Sequence, residues 1–380
     1  MDIKSPKISV VMPIYNAGEY LVRAIEDLLC QSFADFELIC VDDGSTDSSA
    51  KIVKKYQAKD SRISLISQSN LGPSVARNKG LESASGEYVI FLDADDFYHK
   101  DLLSKLYEVA EKELLDIAVC RFDIYNDSKD SYSVPSDEPH GSIYDKGCVT
   151  SKNSHPDVIL SSTTGYVWNK LFRASFIKEK ELSFDPELYV FEDVYFVCSA
   201  MSLAESVGRV EDILLHHRVY SDQSRARHFR KYYGQVPVVY SKIKQFLMQR
   251  GMYIPLKKSF LNLSASRCFK IYNLLWSEGK ERLWNLLHDE YAAEFDWINH
   301  EKDAFEDLEV YEFVANVALY TYEELLHRED QGKNLDIEQC DKESINKKVT
   351  QKQKISRRRA AWNKIMSFIN IFKKRIHKED

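Results

Sequence analysis

Residues 88–96 read Tyr-Val-Ile-Phe-Leu-Asp-Ala-Asp-Asp, five apolar side chains in a row followed at once by three acids in four positions. A short, unbroken apolar run closed by polar residues is the pattern of a strand buried on both faces. Working back toward the N-terminus, Ile8–Met12 and Phe36–Val41 (FELICV) have the same character, and Arg62–Ile66 reads as a third, weaker strand. Between these runs the apolar spacing changes to that of helices. Leu21, Ile25, Leu28 and Leu29 recur at helical intervals, as do Ile52, Val53 and Tyr56. Ser45, Thr46 and Asp47 are N-cap candidates for the second helix. A third helix is predicted around Ser74–Ala84, ending near Gly86. Strands alternating with helices in this way predict an α/β fold with a doubly wound, mostly parallel sheet. Ligands of such sheets bind beyond the carboxyl ends of the strands. Three polar motifs stand there: PIYN after the first strand, DDGS after the second and DADD after the fourth.

A helix around Asp101–Lys112 and a strand at Asp116–Phe122 extend the sheet. Tyr125–Ser162, rich in Ser, Asp, Pro and His, lacks periodicity and reads as a long loop placed to cover a site. Val194, Val197, Cys198 and Met201 of FEDVYFVCSAM suit one helix face. From Lys231 to Arg328 the pattern is helical, with Tyr272, Trp276, Trp284 and Phe295 as aromatic anchors. The division that follows is 1–100 and 101–230 for the two halves of the α/β domain, 231–335 for a helical region, and 336–380 for a linker and tail. The 380 residues are 44% hydrophobic and 29% charged, an ordinary globular balance. Seven dispersed cysteines with no CxxC pair argue against a disulfide framework or zinc site and for a reducing compartment. Neither a signal peptide nor an apolar run long enough to span a bilayer is evident, so a cytoplasmic location is expected.

Asp93 and Asp95 are two carboxylates one residue apart at the end of a buried strand. Such a pair can share one hard cation, Mn2+ or Mg2+, whose remaining ligands are diphosphate oxygens. The cation would offset charge on a departing diphosphate. The competing reading is that these acids cap the next helix. Asp43, in the DDGS turn, can accept hydrogen bonds from a base or ribose, with Gly44 allowing close approach; a plain capped turn fits the same residues.

The strings ISVVMPIYNAGEYLVRAIEDLLCQSF, FELICVDDGSTDSS, NLGPSVARNKGL, GEYVIFLDADD, VWNKLF and FEDVYF, in unbroken order over residues 7–225, resemble the family-2 glycosyltransferases of the GT-A fold. The resemblance implies that residues 1–100 bind a nucleotide-sugar donor and 101–230 face the acceptor. Pro13, Tyr15 and Asn16 would then line the nucleotide pocket. Asp43 would bind the base, Asp42 would support its turn, and Arg77 would lie near the diphosphate. Asp93 would contact ribose or metal, Asp95 the metal, with Ala94 between them and Asp96 beside them. Asn169 and Lys170 would sit near the sugar or acceptor. Asp193 of the Glu192–Asp193 pair would be the general base, taking the acceptor hydroxyl's proton in an inverting transfer. An acidic first turn of a helix is the alternative for that pair. His217 and Arg218 would touch metal or phosphate, although HHRVY stands where the family more often has tyrosines.

Residues 341–380 carry 13 Lys and Arg against 4 Asp and Glu, while the whole chain is at −7, so the body is acidic. A basic footprint confined to a tail excludes the usual nucleic-acid binder. In Arg357–Lys378, Trp362, Ile365, Met366, Ile369, Phe372 and Ile376 form one helical stripe flanked by RRR and KKR. A basic amphipathic helix of this kind suits an anionic membrane surface, or else an acidic protein surface. The first places the chain peripherally on the inner face of the membrane. A nicotinamide-dependent dehydrogenase would need G-x-G-x-x-G after its first strand, and a nucleotidyltransferase a Gly/Arg-rich phosphate loop; neither is present. The expectation is an inverting hexosyl- or hexosaminyltransferase, taking its sugar from a nucleotide-sugar (UDP above others) to a hydroxyl of a glycan or lipid-linked glycan in cell-surface polysaccharide synthesis. A non-catalytic scaffold of the same fold is the alternative.

Overall fold

A computed structural model describes residues 5–135, 149–220, 230–298, 300 and 302–330. The expected lid is therefore only partly covered, and the linker and basic tail lie outside the described residues. Contacts divide the chain into two units, one of Met1–Gln235 with Lys242–Phe260, the other of Val236–Ser241 with the chain from Leu261 onward.

The first unit opens with β1 (Ile8–Ile14), α1 (Gly18–Leu29), β2 (Phe36–Asp42), α2 (Ser49–Gln57), β3 (Ile63–Ser67), α3 (Pro73–Ser83) and β4 (Tyr88–Phe91). β1 pairs in parallel with β2 and β4, and β2 with β3, so four apolar runs become one parallel half-sheet. Ile8, Val10, Met12, Leu38, Cys40, Ile90 and Leu92 share a core with Leu21, Ala24, Ile25 and Leu28 of α1. α3 lies close against β1. A side chain at Gly80 would meet Cγ1 of Val11 at 2.3 Å, and buried Ala76 is one turn away. Small residues here bring Arg77, on the same helix, toward the strand ends.

After β4 the sheet becomes mixed, a departure from continued parallel winding. The chain adds β5 (Phe97–Tyr98), α4 (Leu102–Lys112), β6 (Ile117–Asn126), β7 (Ser131–Ser133), β8 (Lys170–Arg173), α5 (Ala174–Glu179), α6 (Glu192–Leu203) and β9 (Val207–Val219). The strand order is β3-β2-β1-β4-β8-β6-β9-β5, with β7 on β6. β8 runs antiparallel to both β4 and β6, β5 antiparallel to β9, and β6 parallel to β9. Asn169 thus leads into a strand that Lys170 begins. The HHR residues extend β9, which a register shift near Arg121 brings opposite Asp123–Tyr125.

The second unit is helical, with helices Ser277–Leu286, Leu308–Leu319 and Tyr322–Asp330. Asp307 caps one of them, accepting from Glu309 N at 2.8 Å. Trp284, Phe295, Trp297 and Phe313 form its aromatic core. Trp276, expected among the anchors, is 70% exposed because it stands outside the first turn of its helix. Among the described residues no helix is long and apolar enough to cross a membrane.

Candidate functional site

A cleft of about 260 Å³ opens at the carboxyl ends of β1, β2 and β4. Pro13 lines it from the end of β1, Tyr15 and Asn16 from the turn that follows, Asp43 from the turn after β2, and Arg77 from α3. Asp93, Ala94 and Asp95 complete it from the turn after β4.

The first two turns are stitched together. Asn16, in the left-handed region that asparagine tolerates (φ 52°), accepts from Thr46 N at 2.8 Å. Its own N–H donates to Ser45 Oγ at 3.0 Å. Asp42 does not line the cleft; it accepts from Ser45 N at 3.2 Å, which supports the turn. Gly44 (φ 74°) permits the approach, since a Cβ there would lie 2.9 Å from Asn70 N. Asp43 is buried and accepts from Gln68 Nε2 and Leu71 N at 2.8 Å and from Gly72 N at 2.9 Å. Those three bonds tie down the loop before α3 and leave one of about four carboxylate acceptor positions.

Arg77 joins motifs a hundred residues apart. Its Nη2 donates to Asp93 Oδ1 at 2.8 Å and its Nη1 to Glu192 Oε1 at 2.6 Å. Burial works against its charge, but the Asp93 and Glu192 carboxylates outweigh that and raise its pKa. Arg77 is only 6% exposed. Its Nε is buried without a partner. Glu192 and Asp193 form the first turn of α6, entered through Phe191 in the left-handed region (φ 61°). That conformation costs a bulky residue on the order of 1–3 kcal/mol and is held only where surroundings demand it. Asp193 is half-buried beside this network. Burial first, then the Glu192 charge, pushes its carboxyl up to about 7, against the pull of Arg77.

Asp95 is crowded differently. Burial and the charges of Asp96 and Asp93 push it up to about 7. Asp93 has Arg77 as counter-ion, and Asp96 accepts from His217 Nδ1 (3.1 Å) and Arg218 N (2.8 Å). Asp95 has the Tyr220 hydroxyl at 3.1 Å. A crowded oxygen site short of positive charge fits a hard divalent cation. Among the described residues no group of three or more His, Cys, Asp or Glu side chains is gathered as a metal cage, so most ligands would come from the bound phosphates.

Several expected residues do not line the cleft. His217 points at Asp96 and stacks on Trp168 at 5.0 Å. The Arg218 guanidinium is engaged by Asp127 and by the Asp95 carbonyl (2.9 Å). Lys170 is fully buried, its Nζ donating to the carbonyls of Thr164 (3.0 Å) and Tyr166 (2.6 Å) and to Asn169 Oδ1 (2.7 Å). Asn169 Nδ2 donates to Cys120 O at 2.9 Å. These side chains secure backbone behind the site. Burial drives the Lys170 pKa down to about 7. Conversely, Tyr20, Asn70, Tyr189 and Tyr220 line the cleft without having been anticipated. Tyr189 and Tyr220 flank the FEDVYF and HHR motifs, and that adjacency was the available signal.

Residues 9–168 match the family model for glycosyl transferase family 2. The chain is 28% identical to EpsH of Bacillus subtilis (strain 168), a protein named as a glycosyltransferase, over 76% of this chain and 83% of that one. It is 34% identical to EpsJ of the same strain, also named as a glycosyltransferase, over 56% of this chain and 61% of that one. The match thus falls short of two thirds of EpsJ's length. Among solved structures, S. aureus TarS 1–349 in complex with UDP superposes with a TM-score of 0.64 at 22% identity, covering 87% of this chain and 94% of that one. The GT-A-like α/β fold is therefore the observed fold.

Proposed function

We propose that the chain, which matches the family model for glycosyl transferase family 2 over residues 9–168, transfers a hexose or N-acetylhexosamine from a UDP-sugar to a glycan hydroxyl with inversion. The observation that carries this is the Arg77 bridge, which brings the acidic turn after β4 and the Glu192–Asp193 pair to one place. The nucleotide would enter between the turns after β1 and β2. Tyr15 and Asn16 form one wall, and the remaining acceptor position of Asp43 meets a base N–H. The binding of UDP and of UDP-GlcNAc by TarS supports UDP as the carrier.

The acceptor hydroxyl gives its proton to Asp193 while its oxygen attacks the anomeric carbon. The carbon–oxygen bond to the diphosphate breaks on the opposite face, and UDP leaves with that electron pair. A carboxyl near 7 is basic enough to take the proton yet about half ionised at neutral pH. Arg77 keeps Glu192 paired and so fixes the turn carrying Asp193. Asp95, with Asp93 beside it, would hold Mn2+ or Mg2+, which supplies charge neutralisation at the departing diphosphate. A lipid-linked glycan acceptor fits the basic tail, which would hold the protein at the inner face of the membrane.

The test is a screen of UDP-, GDP- and dTDP-sugars for nucleotide release with Mn2+ or Mg2+ present. A UDP-sugar should turn over, and Asp95→Asn and Asp193→Asn should abolish turnover. Silence with every sugar, in a folded protein that keeps its binding partners, would favour the scaffold reading.

A further inference from the structure

The end of β9 and the residue after it hold the acidic turn from outside the motifs that define it. Arg218 N and His217 Nδ1 both reach the Asp96 carboxylate, and Arg218 Nε reaches the Asp95 carbonyl. These three bonds fix the turn's backbone and its buried acid but leave the Asp95 side chain untouched. Among the described residues one group bonds that side chain: the Tyr220 hydroxyl, which donates to Asp95 Oδ2 at 3.1 Å.

Tyr220 is itself held. Its ring lies 5.6 Å from that of Tyr20 in a tilted contact, and Tyr20 in turn lies under the Arg218 guanidinium at 4.7 Å. Tyr20 belongs to the first turns of α1, directly after the PIYN turn. The Asp95 rotamer is thereby tied through two rings to the nucleotide side of the cleft, which both tyrosines line. A hydrogen bond on one carboxylate oxygen leaves Oδ1 for another partner and restricts rotation about the side chain. Such outer partners of a metal-holding carboxylate commonly govern metal affinity by 10- to 100-fold.

We propose that Tyr220 is a positioning residue that orients the Asp95 carboxylate for a divalent cation bound with the nucleoside diphosphate. The proposal rests on the nucleotide-sugar reading of the cleft. It assigns to the HHRVY segment a role that belongs to its tyrosine, while His217 and Arg218 serve the turn's backbone and Asp96.

The experiment is Mn2+ titration of the full chain in the presence of UDP, followed by water-proton relaxation, which reads bound Mn2+ without turnover. Tyr220→Phe keeps the ring against Tyr20 and removes the hydroxyl alone. Its Mn2+ dissociation constant should rise about tenfold or more, while its melting temperature without Mn2+ stays at the wild-type value. A wild-type Mn2+ affinity in Tyr220→Phe overturns the proposal and leaves the transferase reading intact. So does a wild-type chain that binds UDP and turns over a UDP-sugar without binding Mn2+. A wild-type chain that binds neither UDP nor Mn2+ overturns both. If Tyr220→Phe melts lower, the titration is run well below its melting temperature: weakened Mn2+ binding by the folded variant supports positioning, and wild-type binding counts against it.

Discussion

A carboxylate that must take a proton from a sugar hydroxyl works better as a stronger base than an exposed aspartate, and burial beside Glu192 does this to Asp193. Its carboxyl is pushed from an ordinary 3.8 up to about 7. The charged form is the base, so kcat/KM should rise with pH through an apparent pKa near 7 and be lost as pH falls below it. Asp193→Asn should lower kcat at least 10²-fold and abolish that limb. The same shift has a stability consequence of opposite sign. Between about pH 4 and 7 the native state keeps a proton that the unfolded chain has released, so the group's contribution to stability falls as pH rises through that window. Asp193→Asn should therefore melt higher than wild type at pH 8 and close to it at pH 4, a difference that thermal scans at the two pH values will read. Both acidic motifs were legible because each stands at the end of an apolar run or the start of a helix. That Arg77 joins them was not, since the bridge spans 115 residues of sequence to Glu192. Nor was the burial of Lys170 legible, because the three acceptors that receive its ammonium are brought together by the fold.

At the scale of elements, the parallel half of the sheet was legible because its strands are buried on both faces and announce themselves as unbroken apolar runs. In the mixed half β6 was legible, as the strand expected at Asp116–Phe122, while β5 and β9 were not. β5 has two residues, and β9 mixes Glu211, Asp212 and two histidines into a strand defined by pairing with β6. Long-range pairing, with a register shift, overrides local pattern there. The contact between α3 and β1 carries a direct prediction. A methyl group at Gly80 would stand 2.3 Å from Val11 Cγ1, so Gly80→Ala forces the helix off the strand. Overpacking of this kind costs about 1–3 kcal/mol and should appear as a lower melting temperature. Because Arg77 rides on the same helix, activity should fall by more than the folded fraction does. A displacement of about 1 Å at a positioning group can cost 10²-fold. Unchanged activity in the folded fraction would mean that Arg77 does not depend on the seating of α3.

For the molecule as a whole, the two units differ in how far composition determined them. The α/β unit follows from the order of its motifs, while the helical unit was recognisable only as a helical, aromatic-rich stretch whose packing awaited the fold. The charge distribution adds a separate argument. A chain at −7 overall concentrates 13 basic residues against 4 acidic ones in its last 40 positions. The net negative charge of the body attracts such a segment, so an intramolecular partner and a membrane are both open to it. The apolar stripe from Trp362 to Ile376 favours the membrane, where its area and its charges act together. Each basic residue near an anionic leaflet contributes about 1 kcal/mol, and RRR and KKR supply six. Deleting residues 346–380 should therefore move the protein from the membrane to the supernatant fraction. Binding of the full-length chain to vesicles should require anionic lipid and weaken with salt. Turnover of a soluble acceptor should survive the deletion, because the cleft is built wholly from residues before 221. If the shortened chain stays on vesicles, or the full chain binds neutral and anionic vesicles alike, the tail's partner is a protein surface instead.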